Sequence, residues 1–237
     1  MRSLSLLMLA FVFLIGCTVQ QIQQTLDGYL DTDKLTTEEV VQGLKEALIN
    51  GITEGSAKAS AVDGYLGNPK IRIPFPPDVQ RVESKLRDIG LGGQVDRFIE
   101  TLNHGAEEAA KEAKPIFVSA IRSMTVEDAW GILRGDRHAA TQYLERKTSA
   151  QLKSKFQPVI KRALDKTSAT KYYGDIINTY NKIPFVDKAD PDLENYATDR
   201  ALDGLFKLIA DQEEKIREDP IARTTELLKK VFKAQDS

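Results

Sequence analysis

Residues 36–52 read TTEEVVQGLKEALINGI, and their reading decides the fold. Thr36-Thr37-Glu38-Glu39 is a capping box, in which the Thr36 hydroxyl can meet the Glu39 backbone N–H. Val40, Val41, Leu44, Ala47, Leu48 and Ile52 then recur at the spacing of one helix face. Working outward, the same period returns in Val79 to Ile89, which Gly90 stops as a C′ glycine. It returns in Val95 to Ala113, in Ile116 to Met124, and after Thr125-Val126-Glu127-Asp128, a second N-terminal cap. Gly135-Asp136 opens a helix through Tyr143, and Thr148 opens another through Leu164 with a kink expected at Pro158. Tyr172 to Tyr180 gives one more. Asp190-Pro191 and Asp219-Pro220 each place an acceptor before a proline at the first helical position. The first of these opens a long helix to Ile216, the second a helix carrying Leu227, Leu228, Val231 and Phe232. No segment sustains β alternation. The pattern predicts an all-α protein, a single irregular bundle of about eight to ten helices over residues 36–237.

One stretch interrupts the helical period. Val62 to Pro77 holds Gly64, Gly67 and Pro69, Pro74, Pro76 and Pro77, each proline biasing its predecessor toward extended backbone. It reads as an ordered Pro/Gly-rich loop, with Ile71 and Ile73 marking a short strand. Long irregular connections in compact helical proteins are often functional, so Tyr65, Asn68 and Arg72 are the first candidate binding residues. The competing reading is a structural plug across the bundle.

The N-terminus carries a separate signal. Arg2 precedes an apolar run from Leu4 to Ile15, too short to cross a hydrocarbon core of about 30 Å as a helix. It reads as a signal-peptide core. Leu14-Ile15-Gly16-Cys17 resembles the bacterial lipobox, which implies removal of residues 1–16 and a diacylglycerol and palmitate anchor on Cys17. Residues 17–35 then form the lipidated start and a polar tether. Thr18 rather than Asp after the cysteine resembles the default for sorting to the outer membrane of Gram-negative bacteria, facing the periplasm.

Composition removes several classes. One cysteine excludes a disulfide scaffold, and 41% apolar residues with a net charge of -2 exclude a wholly disordered chain. The same charge gives no global drive toward nucleic acid, which is not expected as a partner. The acidic tether Asp27 to Glu38 fails as an EF-hand, with Tyr29 at a ligand place and Thr32 where a glycine is required. Asp187, Asp190, Asp192 and Glu194 read as helix N-terminal acids. No metal or cofactor is expected, because His104 and His138 lack a second ligand at helical spacing. Gly90-Leu91-Gly92-Gly93 lacks the strand and Lys-Ser/Thr of a phosphate loop, and no Gly-x-Ser-x-Gly elbow occurs. An enzyme is therefore not expected; Tyr65, Arg72, Asp128 and Asp136 are the residues such a reading would use.

Charge is more informative. Arg146 to Lys171 holds eight basic residues against Asp165 alone. Lys153, Lys161 and Arg162 on this stretch are candidates for lipid phosphates or an acidic envelope protein, the competing reading being a solvated face that balances the acidic C-terminal third.

Several motifs together resemble the bacterial family designated DUF4197: the lipobox, residues 64–77, Glu112–Phe117, Asp128–Leu133, Ala140–Tyr143, Ala201–Phe206 and Leu227–Phe232. Asp136-Arg137 departs from the looser turn expected there. The resemblance covers nearly all of the chain beyond the signal. It implies an exported helical protein of Gram-negative bacteria and carries no catalytic residue with it. The expectation is a non-enzymatic, lipid-anchored interaction or envelope-assembly factor. The alternative is a carrier, with a lipid or other amphipathic molecule in a groove between helices under Tyr65–Arg72.

Overall fold

The computed structural model describes residues 36–182, 184–185 and 187–223, together with 225, 227, 229 and 231. The protein is all-α, and no strand occurs among the described residues. Helix α1 spans Thr37–Ser60, a 3₁₀ turn at Pro77–Val79 leads into α2 (Gln80–Asp88), and α3 spans Gly92–Ala110. Then come α4 (Ala113–Arg122), α5 (Val126–Leu133), α6 (Ala139–Lys166), α7 (Ala169–Tyr180) and α8 (Leu193–Glu218). None of the described helices is long and apolar enough to cross a membrane.

Local chemistry explains several helix ends. Thr36 and Glu39 form the reciprocal box, the Thr36 N–H donating to Glu39 Oε2 at 2.8 Å and the Glu39 N–H to Thr36 Oγ1 at 3.1 Å. Thr125 and Asp128 repeat it at α5. Gly90 adopts φ +86°, the left-handed geometry that ends α2. There the Gly90 N–H reaches Arg87 O and the Leu91 N–H reaches Leu86 O, which completes a Schellman motif.

Other ends differ from the sequence reading. The two helices expected around Tyr143 and Leu164 are one, α6, so the packed helices are fewer than the pattern suggested. Thr148 does not cap anything. It is buried inside α6 and its hydroxyl bonds back to Leu144 O at 2.6 Å, the other use that threonine makes of its oxygen. Pro158 is tolerated within α6 because it lies on the exposed side, near the Ser154 carbonyl that it cannot pair. At α8 the cap is Asp192, which accepts from the Asn195 N–H at 2.9 Å, while Asp190 stabilises the preceding turn by accepting from the Asp192 N–H. Asp219-Pro220 starts only a 3₁₀ turn, Pro220–Ala222; of the helix expected beyond, Leu227 and Val231 are helical, while Leu228 and Phe232 lie outside the described residues. The cysteine, the signal and the tether lie outside them as well.

The long helices α1, α3, α6 and α8 form the body: α6 packs on both α3 and α8, and α1 lies along α8. Gly55 lets α1 approach closely, since a Cβ there would sit 2.9 Å from Ile209 Cδ1. Leu102, Phe117, Ile121, Leu144, Leu152, Phe156 and Ile160 are fully buried between the helices. Burial of a side chain such as Phe156 contributes roughly 2–3 kcal/mol. Phe117 meets Phe206 edge-on with centroids 5.7 Å apart.

Residues 61–76 cross this bundle, but the extended loop expected here is a series of hydrogen-bonded turns through Ile71, residues 72–76 follow outside turns, and Ile71 and Ile73 form no strand. Asn103 of α3 does the work of a neighbouring strand. Its Oδ1 accepts from the Ile73 N–H at 2.8 Å and its Nδ2 donates to Ile73 O at 2.9 Å. With those groups satisfied, Ile71, Ile73 and Phe75 can be buried without a sheet.

Candidate ligand groove

The loop residues separate into anchors and surface groups. Tyr65 is fully buried, its hydroxyl donating to Ala201 O at 2.6 Å, and its N–H and that of Leu66 donate to Glu107 Oε1. Burial pushes the Tyr65 phenol far above its ordinary value, with the negative charges of Glu107 and Asp203 adding to the shift. A phenol so placed holds the loop down and faces no open space. Asn68 is half-buried and shapes the turn, its Oδ1 accepting from the Lys70 N–H. Arg72 points to solvent. The three are not brought together around a ligand-sized space.

The open apolar space lies further along, beside Phe75. A groove of about 560 Å³ runs between α2, α3 and α7, and its lining is mainly apolar. Phe75, Phe98 and Tyr173 make its floor, with Phe75 and Phe98 centroids 5.0 Å apart and Phe98 and Tyr173 stacked at 5.9 Å. The Tyr173 hydroxyl is turned away, donating to Asp190 O at 3.2 Å, and burial raises its pKa. Leu86 and Leu91, brought together by the Schellman turn, form one wall; Tyr172 and Ile176, one turn apart on α7, form the other. Tyr172 is 63% exposed, a large aromatic standing in water at the rim.

Through Arg97, Thr101 and Thr167 the groove continues into a polar cleft between α3 and α6, which also holds Glu100, His104, Glu108, Arg162 and Lys166. Glu108 is taken by Lys111. Among the described residues Arg97, Arg162 and Lys166 have no carboxylate within ion-pair distance, so the cleft carries an excess of positive charge.

Residues 34–233 match the family model described as "Protein of unknown function (DUF4197)". The chain belongs to the DUF4197 family. Neither a curated protein nor a solved structure matches it. In this DUF4197 protein the motif at residues 64–77 is the segment that threads the bundle, and Ala201–Phe206 is the part of α8 that receives it.

The basic run of α6 divides. Lys153 pairs with Asp199 at 2.7 Å, and Lys161 sits 3.3 Å from Asp165 and 3.6 Å from Glu194. Both are therefore committed to balancing acids, largely those of α8. Arg162 alone of the three candidates reaches the cleft. In the sequence, Leu86, Phe98, Tyr172 and Ile176 match helix faces that a core would also use and Leu91 sits in a glycine turn, so none of these groove residues signals a site. Contrary to the expectation that His104 lacks a second ligand at helical spacing, Glu107 lies one helical turn away, with Glu107 Oε2 4.0 Å from His104 Nε2. Asp128 and Asp136 serve helix starts, Asp128 in its capping box and Asp136 accepting from the His138 N–H at 2.9 Å. These bonds hold both carboxyls below their ordinary range.

Proposed function

We propose that this DUF4197 protein is a carrier for an amphipathic anion, held at the outer membrane on the periplasmic side by acyl chains on Cys17. The observation that carries the reading is the continuity of the apolar groove with a cationic cleft through Arg97, Thr101 and Thr167. A ligand with an apolar chain would lie over Phe75, Phe98 and Tyr173, and its acidic head would meet Arg97, Arg162 and Lys166. A protein that only docks partners has no need of an aromatic-floored groove left open to solvent, so the carrier reading is preferred to the interaction factor. The lipobox supports the anchor, and a groove that takes a lipid-like molecule suits a protein tethered at a bilayer.

Native mass spectrometry of the full-length protein, released from gentle detergent, tests both halves. The expected spectrum shows the mass of diacylglycerol and an acyl chain on a chain beginning at Cys17, absent from Cys17→Ser, and a further adduct that denaturation releases. Thr101→Trp, which fills the junction of groove and cleft, should abolish that adduct and saturable binding of a fluorescent fatty acid. A clean unliganded mass together with no saturable fatty-acid binding sinks the carrier.

A further inference from the structure

We propose that Asp63, His104 and Glu107 form a site for one divalent transition-metal ion of the Zn²⁺ type. This inference does not rest on the carrier reading and uses none of the apolar groove residues, although His104 also lines the polar cleft. His104 and Glu107 lie at i and i+3 on α3, and the turn after α1 brings Asp63 over them. His104 Nε2 is 3.6 Å from Asp63 Oδ1 and 4.0 Å from Glu107 Oε2, and the three ligand atoms all lie within 4.8 Å of one another. An ion bonded at about 2.1 Å to each tetrahedral ligand needs them roughly 3.4 Å apart. Small rotations of Asp63 and His104, both exposed side chains, close that difference.

Glu107 makes this more than a surface cluster. Its side chain is only 8% exposed, and Oε1 is fixed by the N–H groups of Tyr65 at 3.1 Å and Leu66 at 3.2 Å. Oε2 receives no hydrogen bond from the described residues and is turned toward His104. Neither Glu107 nor Asp63 has a Lys or Arg within ion-pair distance among them. A carboxylate this buried calls for a cation, and backbone donors that pin one oxygen leave the other oriented as a ligand. One imidazole and two carboxylates suit Zn²⁺ or Co²⁺ better than Ca²⁺ or Mg²⁺, which take oxygen alone, and no thiolate favours Cu(I). Three protein ligands leave a fourth position open on the solvent side, where His104 lines the cationic cleft.

The full-length chain in mild detergent, stripped with EDTA, should bind Co²⁺ with one-to-one stoichiometry and gain visible d–d absorption that Zn²⁺ displaces. His104→Ala, at an exposed side chain, should keep the helical circular dichroism and weaken Zn²⁺ by at least ~100-fold. Asp63→Asn keeps a residue suited to its φ of +57° and should weaken it at least ~10-fold. His138→Ala, the other histidine, should leave binding unchanged. Absence of stoichiometric binding, or affinity that survives in folded His104→Ala, overturns the proposal.

Discussion

Gly204 of α8 lies directly against the ring of Tyr65: a Cβ built at 204 would be 2.7 Å from Tyr65 Cε1 and 3.1 Å from Ile71 Cβ. The bare Cα is what allows the loop to seat Tyr65 and Ile71 on this helix. Gly204→Ala should therefore destabilise the protein by about 1–3 kcal/mol through overpacking, despite the ~1 kcal/mol that alanine gains in helix propensity. Gly131 on α5 is the control, since a Cβ there meets nothing within 4 Å. Gly131→Ala should be neutral or stabilising by up to ~1 kcal/mol. Urea unfolding of both variants checks the pair. Equal effects at the two positions would mean the Tyr65 contact is not tight.

Tyr65 also sets a pH dependence. Its phenol titrates above its ordinary value near 10 because burial disfavours the charged form, and Glu107 and Asp203 repel it further. A raised phenol leaves stability intact below pH 10 and removes it as pH rises toward the folded value. The loss amounts to about 1.4 kcal/mol per pH unit for a fully buried group. Tyr65→Phe should cost ~1 kcal/mol at neutral pH, from the lost bond to Ala201 O, and then make the alkaline limb shallower. Tyr173 and Tyr196 are also raised by burial, Tyr196 to about 12, so part of the slope should remain. Unfolding free energies between pH 9 and 12 decide it. A parallel loss in wild type and variant would put the alkaline sensitivity elsewhere.

How much of this was legible in the sequence follows from how local each signal is. The caps at Thr36 and Thr125 and the stop at Gly90 are satisfied within four residues, and the sequence shows them directly. Thr148 and Asp190 have capping chemistry too, but which bond each makes depends on the helix already running through it or on a second acid two residues later. The loop's fate was decided by Asn103, a partner 30 positions from Ile73 that no periodicity points to. The groove needs Phe75 from the loop, Leu86 and Leu91 from a turn, and Tyr172 and Ile176 from α7. Helical spacing tells which face is apolar, and is silent on whether another helix covers it. Lys153 and Arg162 are alike in sequence; only the fold places Asp199 beside one and an open cleft beside the other.

Glu213 provides a last prediction. The residue before α6 is His138, whose side chain makes no cap bond, so the first N–H groups of the helix need an acceptor from elsewhere. Glu213 of α8, 7% exposed, supplies it. Its Oε1 accepts from the Ala140 N–H at 3.0 Å, and its Oε2 accepts from both the N–H and the hydroxyl of Thr141 at 2.8 Å. Arg217 closes the charge, its Nη2 2.8 Å from Oε1, and also donates to Ile132 O. One carboxylate thus caps α6, ties it to α8 and neutralises a largely buried guanidinium. Glu213→Ala should cost about 3–5 kcal/mol, because it strands both Arg217 and two helix donors. Glu213→Gln, which keeps an acceptor and loses the charge, should cost about half as much. Replacing the pair together, Glu213→Leu with Arg217→Met, should recover part of the single-variant loss, since the stranded charge is gone. Urea unfolding of the four proteins ranks these costs, and a Glu213→Ala cost below ~1 kcal/mol would show that α6 does not depend on this cap.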